Sequence, residues 1–204
     1  MYIAIEGVDG SGKSTLIENL KKEFPQVTFV REPGTSKFAE DIRSAIFNNF
    51  KDISPMAIQL AMLSARADLK VYIEGQQNVI SDRCFISGCY CEELQDKKDI
   101  SDWISLSMKY IKVPDLIIYL DISAETSIQR LSTRNKMEAY DTLKKGEIEN
   151  RIKSYKKWLE VAKNFYVRFV CVDANKSQEE VTNEVVKLIY DYGREDLCKE
   201  ILHS

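Results

Sequence analysis

Gly7-Val8-Asp9-Gly10-Ser11-Gly12-Lys13-Ser14 follows the pattern G-x-x-x-x-G-K-[ST]. The chemistry it suits is a grip on the phosphates of a nucleotide. A triphosphate needs many donors close together with no side chain in their way. Gly7, Gly10 and Gly12 let the backbone turn sharply, so that N–H groups face inward. Lys13 adds a mobile positive charge for the β- and γ-phosphates, and the Ser14 hydroxyl is a ligand for Mg²⁺. Asp9 has no favourable contact with phosphate. Its carboxylate is expected to face a sugar hydroxyl or a metal-bound water.

Further candidates follow along the chain. Asp82-Arg83 ends an apolar run, where a carboxylate reaches a metal and an arginine forks two phosphate oxygens. Arg31-Glu32-Pro33-Gly34 ends another run on the same expected edge. Arg43 and Arg66 lie on the helices that follow. Arg66 interrupts the apolar series Met62, Leu63, Ala65, Leu69, so if buried it needs a phosphate, a base edge or an internal acid as partner. Arg130 and Arg134 lie one turn apart before the polar segment Asn135–Asp141, which suits a lid over transferring phosphates.

These residues need a scaffold, and the apolar pattern supplies one. Tyr2–Glu6, Val27–Val30, Asn78–Asp82, Asp115–Asp121 and Val167–Val172 read as strands, the third as a short central one. Between them lie helical patterns over 15–22, 37–49, 55–74, 86–95, 100–111, 124–134, 145–164 and 177–191, with a frayed tail over 193–204. Ser54 is a candidate N-cap with Pro55 at the first helical position. The alternation predicts an α/β chain, a five-stranded parallel sheet flanked by helices in the three-layer arrangement of P-loop NTPases. We expect one domain over residues 1–204, with a short lid at about 134–146.

Composition narrows the function. The 204 residues are 44% hydrophobic and 30% charged with a formal net charge of −3, ordinary for a globular protein and unlike a basic nucleic-acid binder. Five cysteines, Cys84, Cys89, Cys91, Cys171 and Cys198, form an odd set without metal-ligand spacing and read as reduced thiols. No apolar run approaches the roughly 20 residues of a membrane span. The first strand begins at Tyr2 and leaves no room for a targeting segment, so the cytoplasm is the expected compartment. A lone histidine, His203, argues against a Ser-His-Asp hydrolase.

Taken together, the motifs resemble those of the thymidylate kinase family of P-loop nucleoside-monophosphate kinases. Glu6 to Thr15 is similar to the family's first motif, Arg31-Glu32-Pro33-Gly34 to its second, and Ile80-Ser81-Asp82-Arg83 with Ser87-Gly88 to its third. Pro114-Asp115-Leu116 entering a strand that ends in Leu120-Asp121 is also similar. The resemblance implies transfer of a phosphoryl group from ATP·Mg²⁺ to dTMP, giving dTDP, by a homodimer with no nucleic-acid or membrane partner. It implies that Gly7, Val8, Asp9, Gly10, Ser11, Gly12, Lys13, Ser14 and Thr15 hold ATP, with Ser14 and Asp82 toward the metal. Asp9, Glu32, Pro33, Arg43, Met62, Arg66, Arg83, Ser87 and Gly88 would hold the acceptor, Arg66 at the thymine carbonyl. Lys13, Asp9, Arg83 and a lid arginine, Arg134 or Arg130, would act on the transferring group. Five places depart from the family pattern: Met62 replaces an aromatic, Ala65 an acid and Cys84 an aromatic, one glycine is lost where Gly34 is followed by Thr35-Ser36, and an Ala-Tyr pair appears as Tyr90-Cys91. Alternatives are therefore a related kinase with another deoxynucleotide or nucleoside acceptor, and a nucleotide-binding non-enzyme.

Overall fold

The apolar runs pair side by side, all in parallel. The computed structural model describes residues 1–133 and 145–202, the stretch 195–202 for its backbone alone. The strands are β1 (Tyr2–Glu6), β2 (Thr28–Arg31), β3 (Val79–Asp82), β4 (Leu116–Asp121) and β5 (Phe169–Asp173). The helices are α1 (Lys13–Glu23), α2 (Lys37–Asn48), α3 (Pro55–Glu74), α4 (Lys97–Met108), α5 (Ala124–Ser132), α6 (Lys145–Ala162) and α7 (Gln178–Leu202). The sheet order is β2-β3-β1-β4-β5. β1 therefore occupies the centre, and β3 lies between it and the edge strand β2, where the sequence had suggested a central β3.

Strands buried on both faces need continuous apolar runs. Every residue of β1 is buried, and β4 is buried from Leu116 to Leu120. Ile3 aligns with Ile80 on one side and Leu116 on the other. β2, at the edge, buries only Val30. The chain first builds β2 and β3 on one side of β1 and then β4 and β5 on the other. That reversal places a crevice beyond the carboxyl end of β1, where ligands bind in open α/β sheets. Glu6, Arg31, Asp82, Asp121 and Asp173 end the five strands there.

Helix starts follow local chemistry. Ser54 accepts from the Ala57 N–H at 3.3 Å with Pro55 in the first turn, as expected. Ser36 and Ser123 cap α2 and α5 in the same way. Among the described residues, no helix is long and apolar enough to cross a membrane.

The segment 86–95 differs from expectation. It is not a helix but a 3₁₀ turn over Phe85–Tyr90, and α4 begins only at Lys97. Tertiary bonds shape it: the Cys84 N–H and the Ser87 hydroxyl both donate to the buried Glu6 carboxylate, at 2.8 and 2.9 Å. The last helix differs too, running to Leu202 through Gly193 instead of ending near 191. The expected lid falls mostly on 134–144, outside the described residues.

One glycine locks the 3₁₀ turn to α6. A Cβ on Gly88 would stand 2.7 Å from a ring carbon of Trp158, itself 1% exposed. Gly88→Ala is expected to lower the unfolding free energy by about 1–3 kcal/mol through overpacking. Urea unfolding of the two proteins checks this, with the midpoint falling and the slope unchanged.

Candidate active site

The loop between β1 and α1 uses backbone that side chains strain. Gly7, Gly10 and Gly12 have φ of 154°, 78° and 92°. Neighbours brace it from behind. The Ser127 hydroxyl on α5 donates to the Asp9 carbonyl at 2.7 Å, and Gln178 of α7 abuts Gly12. Val8 anchors the loop in the core at 1% exposure. α1 starts on Gly12 without a side-chain cap, so its first amides stand ready for an anion. Asp9 through Ser14 line a cleft of about 900 Å³; Gly7, Val8 and Thr15 lie outside that lining.

Lys13 is buried, and its ammonium donates to the carbonyls of Gly7 at 2.7 Å and Val8 at 3.2 Å. Burial, with the nearby Arg83 guanidinium, pulls its pKa down to about 8 against the opposing pull of Asp9, Asp82 and Glu6.

Beneath the loop lies a polar network centred on Glu6, which has no solvent exposure. Its carboxylate accepts from the Cys84 N–H at 2.8 Å, the Ser87 hydroxyl at 2.9 Å and the Tyr155 hydroxyl at 2.9 Å. Burial raises the Tyr155 pKa well above its ordinary value, with the Glu6 charge adding to the effect. Arg83 has a left-handed backbone, φ 76°, and its N–H donates to the Ile5 carbonyl at 3.0 Å. Its guanidinium donates to the Tyr155 hydroxyl at 3.0 Å, the Ser87 hydroxyl at 3.3 Å and Asp9 Oδ1 at 3.2 Å. Arg151 of α6 donates to Asp9 Oδ2 at 2.9 Å and stacks on Tyr90, 4.9 Å from the ring centroid. The Asp9 carboxylate is thus held between two arginines, where the sequence suggested a sugar hydroxyl or metal water.

The opposite wall comes from the end of β2, from α2 and from α3. Glu32, Pro33, Arg43, Phe47, Met62 and Arg66 all line the cleft. Arg66 is 5% exposed and has an internal partner. Its Nε donates to Glu32 Oε2 at 3.0 Å and its Nη2 to the Cys84 carbonyl at 3.2 Å. Burial raises the Glu32 pKa, against the lowering influence of Arg66 and of the Tyr2 hydroxyl that donates to it. The Arg43 guanidinium lies over the Phe47 ring at 4.6 Å.

A divalent cation fits one corner. Asp82 Oδ1 is buried without a hydrogen-bond partner, while Oδ2 stands 3.8 Å from Arg31 Nε. Asp82 and Ser14 line the same cleft. A carboxylate oxygen and a hydroxyl are donors suited to a hard cation. Among the described residues, no cluster of three or more His, Cys, Asp or Glu offers an alternative metal site. The four described cysteines are free thiols.

A family model described as Thymidylate kinase matches residues 5–185. The chain belongs to the thymidylate kinase family. A thymidylate kinase of Nautilia profundicola is 34% identical over 197 residues, covering 94% of this chain and 98% of that protein. One from Mycoplasma capricolum is 30% identical over 209 residues, covering 96% and 97%. Among solved structures, a deoxyadenosine kinase from M. mycoides with the products dCMP and a flexible dCDP bound superposes with a TM-score of 0.69. It covers 94% of this chain and 100% of its own at 23% identity, a likeness of fold.

The family's acceptor and donor motifs meet in one cleft, although Gly88 and Arg130, like Gly7, Val8 and Thr15, lie outside its lining. Gly88 is not in the lining; it packs against Trp158 behind the wall. Arg130 is not in the lining either; its Nη2 donates to the Lys176 carbonyl at 2.9 Å, while its Nη1 stands 3.7 Å from where a Cβ on Gly12 would be. Arg134 lies outside the described residues. The sequence reading missed Arg151, Tyr155 and the central role of Glu6. A signal existed: Arg151 shares a helical face with the buried Ile148, Tyr155 and Trp158, as Arg66 does with its apolar neighbours.

The low pKa of Lys13 has a testable sign. The unfolded chain keeps this proton to about pH 10.4, the folded chain only to about 8. The unfolded state therefore binds more protons between those values, and on this group's account stability rises with pH there. Lys13→Met should be more stable than the parent near pH 7.5, the gap narrowing by about 3 kcal/mol toward pH 10.5. Denaturation at both pH values checks this. ATP affinity of the free parent protein should fall above pH 8, approaching tenfold per pH unit, as titration calorimetry would read.

Proposed function

We propose that the chain transfers the γ-phosphoryl group of ATP to dTMP, giving ADP and dTDP. The observation that carries this reading is a single cleft lined both by the phosphate loop with Lys13 and by the guanidinium groups of Arg43, Arg66 and Arg83. Two phosphate-bearing molecules can lie there end to end, which phosphoryl transfer requires.

The protein's part is positioning and electrostatics. The amides of Gly10 to Ser14 and the Lys13 ammonium hold the β- and γ-phosphates of ATP. Ser14 and Asp82 would hold Mg²⁺, which would supply neutralising charge to the phosphate oxygens. Arg83 and Arg43 hold the acceptor's phosphate, and Glu32 keeps Arg66 turned toward its base. Asp9 binds Arg83 and Arg151 at once and so fixes two guanidinium groups beside the path of transfer. Arg151 takes the charge-stabilising role first assigned to Arg130, with Arg134 as the lid's own contribution. The same reading makes the chain one kinase unit, with a lid over about 134–146, working as a homodimer in the cytoplasm on free nucleotides.

Other acceptors fit the geometry less well. Ala65 and Cys84, two of the departures from the family pattern, are fully buried and outside the lining, whereas Met62 and Tyr90 meet the cleft. The arginines suit a phosphate-bearing acceptor over a nucleoside.

ADP release should be measured with ATP·Mg²⁺ and a panel of dTMP, dUMP, dCMP, dGMP and thymidine. We expect the highest kcat/KM for dTMP and none above background for thymidine. Faster turnover of thymidine, or no turnover of any acceptor, would overturn the reading. Lys13→Ala and Arg83→Ala should each lower kcat about 10²–10³-fold with native circular dichroism. Arg151→Ala should lower kcat about 10-fold or more while Arg130→Ala changes it less than threefold.

A further inference from the structure

Gln59, Met62 and Arg66 share one face of α3, at i, i+3 and i+7, and all three line the cleft. Gln59 is 6% exposed, and its Oε1 is buried without a hydrogen-bond partner. That oxygen lies 3.1 Å from where a Cβ on Gly88 would stand. A buried, unpaired amide oxygen destabilises a fold, and leucine or methionine would fill the space without that penalty. That oxygen therefore gives the fold no hydrogen bond, and the catalytic steps above do not use the residue.

Its chemistry complements its neighbour. Arg66 offers only donors, two of its N–H groups already committed to Glu32 and the Cys84 carbonyl. It can serve a ring carbonyl but not a ring N–H. Met62 offers a thioether. Of the three, Gln59 alone can accept strongly: its oxygen lies on the Gly88 side, and a half-turn of the amide presents it to the cleft. A keto-pyrimidine shows a carbonyl next to a ring N–H, an edge that a guanidinium and a carboxamide read together.

We propose that Gln59 is a specificity-determining residue, whose side-chain amide accepts from the ring N–H of a keto-pyrimidine nucleotide seated against α3. This rests on the acceptor reading above. Arg66 then reads the carbonyl, and the pair disfavours an amino-pyrimidine, which presents its own donors to Arg66.

Steady-state kinetics of Gln59→Leu and Gln59→Met test it, with dTMP, dCMP and ATP varied in turn. We expect the KM for dTMP to rise about tenfold, the effect of one hydrogen bond lost to a buried partner. The KM for ATP should change less than twofold, the preference for dTMP over dCMP should shrink, and the melting temperature should hold or rise. An unchanged dTMP KM in either folded variant overturns the proposal. So does a fall in melting temperature with equal rises in both KM values, which marks a structural role. A parent enzyme that turns over no dTMP overturns the acceptor reading itself, whereas parent turnover with unaffected variants overturns this inference alone.

Discussion

Glu6 ends the central strand with a carboxylate that water cannot reach. A buried charge of this kind is tolerable only when hydrogen bonds replace its hydration, since the uncompensated cost is several kcal/mol. Three donors do so, from positions 84, 87 and 155. They belong to the turn after β3 and to α6, so one carboxylate ties together parts of the chain that are remote in sequence. The set works as a unit. Removing one donor leaves a partly satisfied buried network, which is worse than none. The same set positions Arg83, whose guanidinium bonds Ser87 and Tyr155, two of the groups that satisfy Glu6. Its left-handed backbone costs about 1 kcal/mol or more, and the network holds it there.

A second buried pair organises the other wall. Glu32 and Arg66 are both 5% exposed at the side chain, and the Tyr2 hydroxyl completes the acid's bonding. Tyr2 begins the strand that Glu6 ends. The central strand therefore stabilises both acids, one at each wall, and through them the arginines that face the cleft. Between the walls, Lys13 is desolvated enough for its pKa to fall to about 8. A polyphosphate brought alongside restores the charge balance that burial took away, which is the differential interaction a phosphate site requires.

How legible this was depended on how local each feature is. The phosphate loop was readable because its glycines, lysine and serine are contiguous and their backbone needs are intrinsic. The strands were readable because burial on both faces forces unbroken apolar runs. The turn over Phe85–Tyr90 was not, since bonds to Glu6 and the ring of Trp158 decide it, and both are far away in sequence. Asp9 was partly legible. Its type excluded a phosphate contact, but partners 74 and 142 residues on could not be read. Arg130 and Arg151 show a failure of phase. Each is an arginine on a helix, yet Arg151 sits among buried Ile148, Tyr155 and Trp158, while Arg130 turns toward the backbone of the β5–α7 connection.

The departures from the family pattern gain meaning from the same geometry. An acid commonly precedes the base-facing arginine in the resemblance, and here that place holds Ala65. A buried guanidinium without an acid would be strongly disfavoured. Glu32 already fills that need from the β2 wall, so the loss at 65 leaves Arg66 paired. Cys84, in the place of an aromatic, has no solvent exposure, and its backbone rather than its thiol does the work, donating to Glu6 and accepting from Arg66. Both substitutions sit where backbone geometry or a remote acid carries the constraint, so side-chain identity there is free to drift. Met62 differs because its side chain lines the cleft, where Phe47 and Ile58 add apolar surface that a thioether alone lacks. On the proposed function, the cleft is altered on the side assigned to the base and retained where charged groups gather, as expected when electrostatics set the reaction and packing sets the preference.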